Sequence, residues 1–392
     1  MEKNKYTICH SEDDIEHDES PKISAIMFGL GVFGNVAALV ILEIRRRRDS
    51  RADDRRHRGL FHIFINFLVF TDLTGTCLTS PVVQIAYAWN KTLVGLAPTC
   101  INAINNFSGA VDSCTSSASN NCSSSVCKYF GSSMTFFSLA TISLLFITAL
   151  DKCFAIGHPY LYNRVVTKKW AYITISVMFL VCFLFCLLPF VKFGAYVQYC
   201  PGTWCFIDMN PCDIKHRIYA NLYATIMLVL VLSIVACNGF VGCQLFRMYR
   251  RRNRQGSVMK SMRSSSERRV FVAHEVEHLI PLVFMTIIFI ICTLPMVIRV
   301  FYNSIRTEEE YHEHDLLALR FLSINSIIDP WVFILLSPSV LHFFCLSVCK
   351  SRLGKFRGSV SETTLAKDNR HAPVELSRTT MWTGCPPVEE TV

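Results

Sequence analysis

Seven apolar runs, at about 22–46, 60–89, 128–153, 168–191, 217–248, 274–302 and 315–337, leave this chain few folds to choose from. Crossing a bilayer's hydrocarbon core takes about 20 mostly apolar residues as a helix. Each run supplies that length, although Glu43 shortens the first. No water reaches a backbone at that depth, so each segment must satisfy its own peptide groups as a helix. The chain is therefore expected to be an all-α, seven-helix transmembrane bundle. Its 51% hydrophobic and 18% charged residues fit a membrane protein better than an ordinary soluble domain. Residues 1–20 are acidic and polar and carry no signal-peptide pattern, so the first span is expected to direct insertion.

Charge sets the orientation. The connection at 45–58 holds eight arginines, and the one at 247–269 is also strongly basic. Alternating spans put both on one side, with the acidic N-terminus and the acidic segment 308–315 on the other. Basic connections stay in the cytoplasm, so the N-terminus lies outside and the tail inside. The net charge of +9 is thus a topology signal and no argument for nucleic-acid binding. The expected organisation is an outer N-terminus at 1–21, a seven-span domain with an interfacial helix at 22–349, and a polar, phosphorylatable cytoplasmic tail at 350–392.

The last span, 316–336, contains both Arg320 and Asp329. A charge at bilayer depth faces a protein interior or a wet cavity and marks a functional site by default. An arginine near the outer end of a span suits a lipid that bears a carboxylate, because a guanidinium is always charged and binds carboxylates bidentately. Asn35, Asp72 and Asn325 are also intramembrane and polar, and with Asp329 they need partners. They form either a network that only fixes packing or a hydrated core that a ligand can bias, with a sodium ion at Asp72. No other metal and no cofactor is expected.

Of the 18 cysteines, Cys9, Cys100, Cys114, Cys122, Cys127, Cys200, Cys205 and Cys212 fall on the oxidising side. Glycosylation sequons at Asn90, Asn106 and Asn121 cluster in one outer loop. After the seventh span, 338–349 can form an amphipathic interfacial helix. Cys345 and Cys349 share a face of it, as palmitoylation candidates.

Five strings identify a family: Gly34-Asn35, LVFTDLTG at 68–75, MTFFSLAT at 134–141, QYCPGTWCF at 198–206 and LRFLSINSIIDPWVF at 319–333. Together they resemble the prostanoid receptors among the rhodopsin-like G-protein-coupled receptors, over about residues 22–349. The resemblance implies that Arg320 holds a prostanoid carboxylate with help from Tyr87, and that Thr203 and Trp204 belong to a lid. Ser323 and Ser80 would hydrogen-bond elsewhere on the ligand, and Met134 and Phe136 would line the apolar part. It also implies a Cys127–Cys205 disulfide, the other outer cysteines staying unassigned. Prostaglandin E2 would be the ligand and a stimulatory G protein the partner, raising cyclic AMP at the plasma membrane. Arrestin and receptor kinases would act on the tail. Asp151, Lys152, Asp72, Asn325, Asp329 and Pro330 would carry activation and coupling.

The chain departs from the family at Asp151-Lys152-Cys153, where Glu-Arg-Tyr or Glu-Arg-Cys is usual. Lysine keeps the charge but loses the planar fork. Two alternatives stay open: a receptor for another prostanoid, and one that binds but couples weakly through Lys152. Other classes fit poorly. A transporter would show inverted repeats, a retinal protein needs a seventh-span lysine, and a membrane hydrolase needs intramembrane metal ligands. An amine receptor wants an acid where Met134 stands. The chain is not expected to be an enzyme.

Overall fold

The structure is a computed structural model that describes residues 15, 21–49, 55–97, 124–211, 213–255, 262–305 and 312–335. The chain divides into two units, Met1–Ile334 and Leu335–Val392, and the described residues other than Leu335 belong to the first. The interfacial helix, the tail, Asn106, Asn121, Cys345 and Cys349 lie outside them.

Helices α1 (Pro21–Asp49), α2 (Arg55–Trp89), α3 (Ser125–Gly157), α4 (Pro159–Val165) and α5 (Lys168–Leu187) come first. A 3-10 turn at Leu188–Val191 leads to strands β1 (Tyr196–Tyr199) and β2 (Trp204–Ile207). Helices α6 (Ile214–Gln255), α7 (Met262–Ile305) and α8 (His312–Leu335) follow. All but the seven-residue α4 are long and apolar enough to cross a membrane. Several outrun the apolar stretches read from sequence: α6 ends at Gln255 and α7 starts at Met262, both within the basic 247–269 segment. At the other end of α7, the acidic segment 308–315 is already helical from His312.

α3 is the central post, packing on α2, α5, α6 and both strands. Its start is set by Ser124, whose hydroxyl accepts from the Val126 amide at 3.2 Å and donates to the Leu93 carbonyl at 2.9 Å. That is an N-cap doing a second task, tying the helix to the end of α2.

Local chemistry also explains how α1 seats on α8. Pro330, inside α8, has no N–H to give the carbonyl four residues back. That carbonyl, on Ser326, accepts instead from Asn35 Nδ2 at 3.1 Å, while Asn35 also donates to Gly31 at 2.9 Å. Close approach is possible because the neighbouring residue is Gly34; a Cβ there would lie 2.7 Å from the Trp331 indole nitrogen.

The strands form an antiparallel hairpin with Val197 opposite Phe206 and Gln198 opposite Cys205. Cys205 is disulfide-bonded to Cys127 at the top of α3. Gln198 Oε1 accepts from the Val94 amide at 2.9 Å, and the Gly202 carbonyl accepts from the Leu93 amide at 2.9 Å. The buried Tyr199 hydroxyl donates to the Ile207 carbonyl at 2.8 Å and accepts from the Met209 amide at 3.1 Å. Burial, with the charges of Asp208 and Asp315 nearby, holds this phenol well above its ordinary pKa, so it stays a donor. The hairpin is therefore pinned to α3 and to the segment after α2.

Candidate functional site

Beneath the hairpin lies a cavity of about 590 Å³, walled by α1, α2, α3, α8, Phe289 of α7 and Trp204 of β2. Pockets of roughly 300–1,000 Å³ take drug-sized ligands. The wall is mostly apolar: Met27, Phe28, Val83, Phe130, Met134 and Phe137 contribute much of it. Hydroxyls interrupt it at Ser24, Thr76, Thr79, Ser80, Ser138 and Ser323. Among the lining residues, Arg320 is the one cation and Asp72 the one carboxyl-bearing side chain.

Of the residues singled out in the sequence, Arg320, Trp204, Tyr87, Ser323, Ser80 and Met134 all line this one cavity. They come from α2, α3, β2 and α8, so the fold brings together residues more than 200 positions apart. Ser323 spends its hydroxyl proton on the Arg320 carbonyl, at 2.8 Å, which leaves its oxygen as an acceptor. Thr203 lies beside Trp204 but is fully buried behind it; its hydroxyl has no hydrogen-bond partner among the described residues. Phe136 is not in the wall. Its ring packs against Phe137 and against Phe179 of α5, at 5.2 and 6.1 Å between centroids. Phe137 faces the cavity in its stead, backed by Gly75, where a Cβ would come within 2.9 Å of the Phe137 ring.

The floor of the cavity is polar. Asp72 accepts from the Thr141 hydroxyl at 2.9 Å through one oxygen. Its second oxygen, both oxygens of Asp329, and the amide oxygens of Asn325 and Asn35 are buried with no hydrogen-bond partner among the described residues. Of these residues, Asp72 and Asn325 line the cavity itself.

At the far end of α3, Asp151 accepts from the Tyr162 hydroxyl of α4 at 2.7 Å. The buried Lys152 ammonium sits 5.0 Å from the centre of the Phe61 ring of α2, a cation–π contact. Asn90, just after α2, is exposed. Cys200 is also disulfide-bonded.

One feature escaped sequence reading. Asp315, the last residue of the acidic segment, is buried at the start of α8 and accepts from Arg299 of α7 at 2.7 Å. Asn303 lies at 3.4 Å from both of its oxygens, and the Arg299 guanidinium stands 5.5 Å from the Tyr302 ring. An arginine at bilayer depth four residues past Pro295 was the available signal. This clasp joins α7 to the start of α8.

Comparison with known proteins agrees with this architecture. Residues 110–333 match the seven-transmembrane receptor family of the rhodopsin type. The chain is 44% identical over 350 residues to the prostaglandin E2 receptor EP2 subtype of Homo sapiens, covering 87% of this chain and 89% of that one. It is 36% identical over 373 residues to the prostacyclin receptor of Mus musculus, covering 94% and 80%. The crystal structure of squid rhodopsin superposes with a TM-score of 0.61 at 15% identity, over 88% of this chain and 91% of that one, which speaks for the fold alone.

Proposed function

The chain belongs to the rhodopsin family of seven-transmembrane receptors and, within it, to the prostanoid receptors; from this premise we propose that it is a plasma-membrane receptor for prostaglandin E2 that couples to a stimulatory G protein. The observation that carries the ligand class is Arg320, the one cation in the wall of a largely apolar cavity. A prostanoid has that same division, one carboxylate on two apolar chains.

In this reading the carboxylate pairs with the Arg320 guanidinium beside Tyr87, while Thr203 supports the lid next to Trp204. The low-dielectric surroundings strengthen such a pair relative to one in water. The chains lie along Met134 and Phe137, and Phe136 acts from behind Phe137. Ser80 and Ser323 offer hydrogen bonds to ring oxygens and hydroxyls. Ligand binding biases the polar core at the floor of the same cavity, where Asp72, Asn325 and Asp329 would hold sodium in one state and release it in the other. Asp151 and Lys152 then exchange their contacts with Tyr162 and Phe61 for contacts with the G protein. The tail at 350–392 would take receptor kinases and arrestin, and 338–349 would lie along the membrane lipids.

Greater identity to prostaglandin E2 receptors than to prostacyclin receptors favours prostaglandin E2 over other prostanoids. The test is cyclic AMP in cells expressing the chain at a verified surface level, titrated with prostaglandin E2 and with a prostacyclin analogue. A rise at lower concentrations of prostaglandin E2 supports the proposal. A rise that favours the analogue assigns a different prostanoid. No rise with intact ligand binding puts the fault at coupling, where Lys152 stands.

A further inference from the structure

We propose that Cys153 of α3 and Cys237 of α6 form a peroxide-sensitive dithiol that closes to a disulfide across the cytoplasmic half of the bundle.

The register of the two helices brings the thiols together. Ser138 of α3 and Tyr223 of α6 meet hydroxyl to hydroxyl at 2.7 Å. Cys153 lies 15 residues past Ser138, and Cys237 lies 14 past Tyr223. Both helices run the same way, so at 1.5 Å per residue the two cysteines sit about 22 and 21 Å further along. At ~100° per residue each has turned by no more than about 60° from the facing direction. Below them the helices still touch: a Cβ on Gly157 would stand 3.1 Å from the Phe240 ring. The pair is thus bracketed by contacts between the same two helices on both sides.

Both side chains are half-buried, within reach of a molecule as small as hydrogen peroxide. One thiolate attacks the peroxide; an S–O bond forms, the O–O bond breaks and hydroxide leaves. The second thiolate attacks the resulting sulfenic sulfur; the S–S bond forms and a second hydroxide leaves. The two thiols lose two electrons and two protons, and the peroxide becomes two waters. Glutathione reverses the step by thiol–disulfide exchange, as expected of a bond facing the cytosol.

Cys153 directly follows Lys152, so the bond would hold α6 to α3 beside the coupling residues. That consequence rests on the proposed function, whereas the covalent step does not. The experiment treats full-length receptor in membranes with hydrogen peroxide, alkylates with N-ethylmaleimide and maps peptides by mass spectrometry. We expect the two peptides as a linked pair, two hydrogens lighter than their sum, while the exposed Cys243 stays alkylated. Cys237→Ser and Cys153→Ser should each abolish the link. In cells, peroxide should lower the cyclic AMP response at least fivefold, glutathione should restore it, and Cys237→Ser should keep it throughout. Cys153 and Cys237 remaining alkylated at a dose that oxidises Cys243 would overturn the dithiol. A linked pair with an unchanged response would overturn the switch. A linked pair in a chain deaf to prostaglandin E2 counts against the proposed function and in favour of the dithiol.

Discussion

Gly131 is a helical position where a single methyl group should disturb the lid. A Cβ added there would lie 2.7, 2.9 and 3.0 Å from Cδ1, Cγ and Cβ of Tyr196. Carbon atoms pack comfortably at about 3.5–4.0 Å, so something must move by several tenths of an ångström. The Tyr196 ring cannot swing aside freely. Its hydroxyl donates to the Cys186 carbonyl at 3.2 Å and lies 3.4 Å from the Tyr219 hydroxyl. The strand cannot lift freely either, because Cys205 is bonded to Cys127, one turn above Gly131. Overpacking of this kind costs about 1–3 kcal/mol. Replacing a helical glycine by alanine returns about 1 kcal/mol. With the neighbour pinned at both ends the upper half of the range applies, and the net loss for Gly131→Ala is about 1–2 kcal/mol. Gly29→Ala is the matched control, since nothing lies within 4 Å of its Cβ and only the helical gain remains. The assay is the thermal midpoint of ligand-binding activity in detergent, where roughly 2 °C accompanies each kcal/mol. We expect Gly131→Ala to fall by a few degrees and to release ligand faster, with Gly29→Ala at or above the parent. Gly131→Ala as stable as the parent, or the two variants falling together, would refute the packing argument.

Three further outcomes are expected. Asp315→Ala removes the buried carboxylate that Arg299 contacts at 2.7 Å and should cost about 3 kcal/mol, read as a lower thermal midpoint, whereas Asp315→Glu should recover much of it. Phe61→Leu removes the ring under the Lys152 ammonium, a contact worth about 0.5–2 kcal/mol, and should raise basal cyclic AMP severalfold with agonist affinity rising alongside it. Asp72→Asn should abolish any effect of sodium, against a potassium control, on agonist affinity measured in membranes.

The seven spans were legible because a bilayer imposes one length and one polarity on whatever crosses it. Arg320, Asp72, Asn325 and Asp329 were legible for the converse reason, as polar groups where few are tolerated. What stayed hidden depended on orientation or on distant pairing. Phe136 and Phe137 are equally apolar, and adjacent helical residues point about 100° apart, so only the packed structure tells which faces the cavity. Asp315 reads locally as the end of an acidic segment; its partner Arg299 lies on the preceding helix, α7. The strands Tyr196–Tyr199 and Trp204–Ile207 have four residues each, too few for a clear alternation. Cys153 and Cys237 are 84 residues apart and meet only through the register of α3 and α6.

The decisive measurement is a double cycle on the proposed charge pair: affinities of prostaglandin E2 and of its methyl ester for the parent receptor and for Arg320→Ala. If Arg320 receives the carboxylate, the acid should bind the parent about 100-fold tighter than the ester, a difference of about 2.7 kcal/mol. In Arg320→Ala that preference should shrink to about threefold or less, chiefly through weaker binding of the acid. An acid-over-ester preference that survives the substitution undiminished would contradict the assignment and place the carboxylate elsewhere.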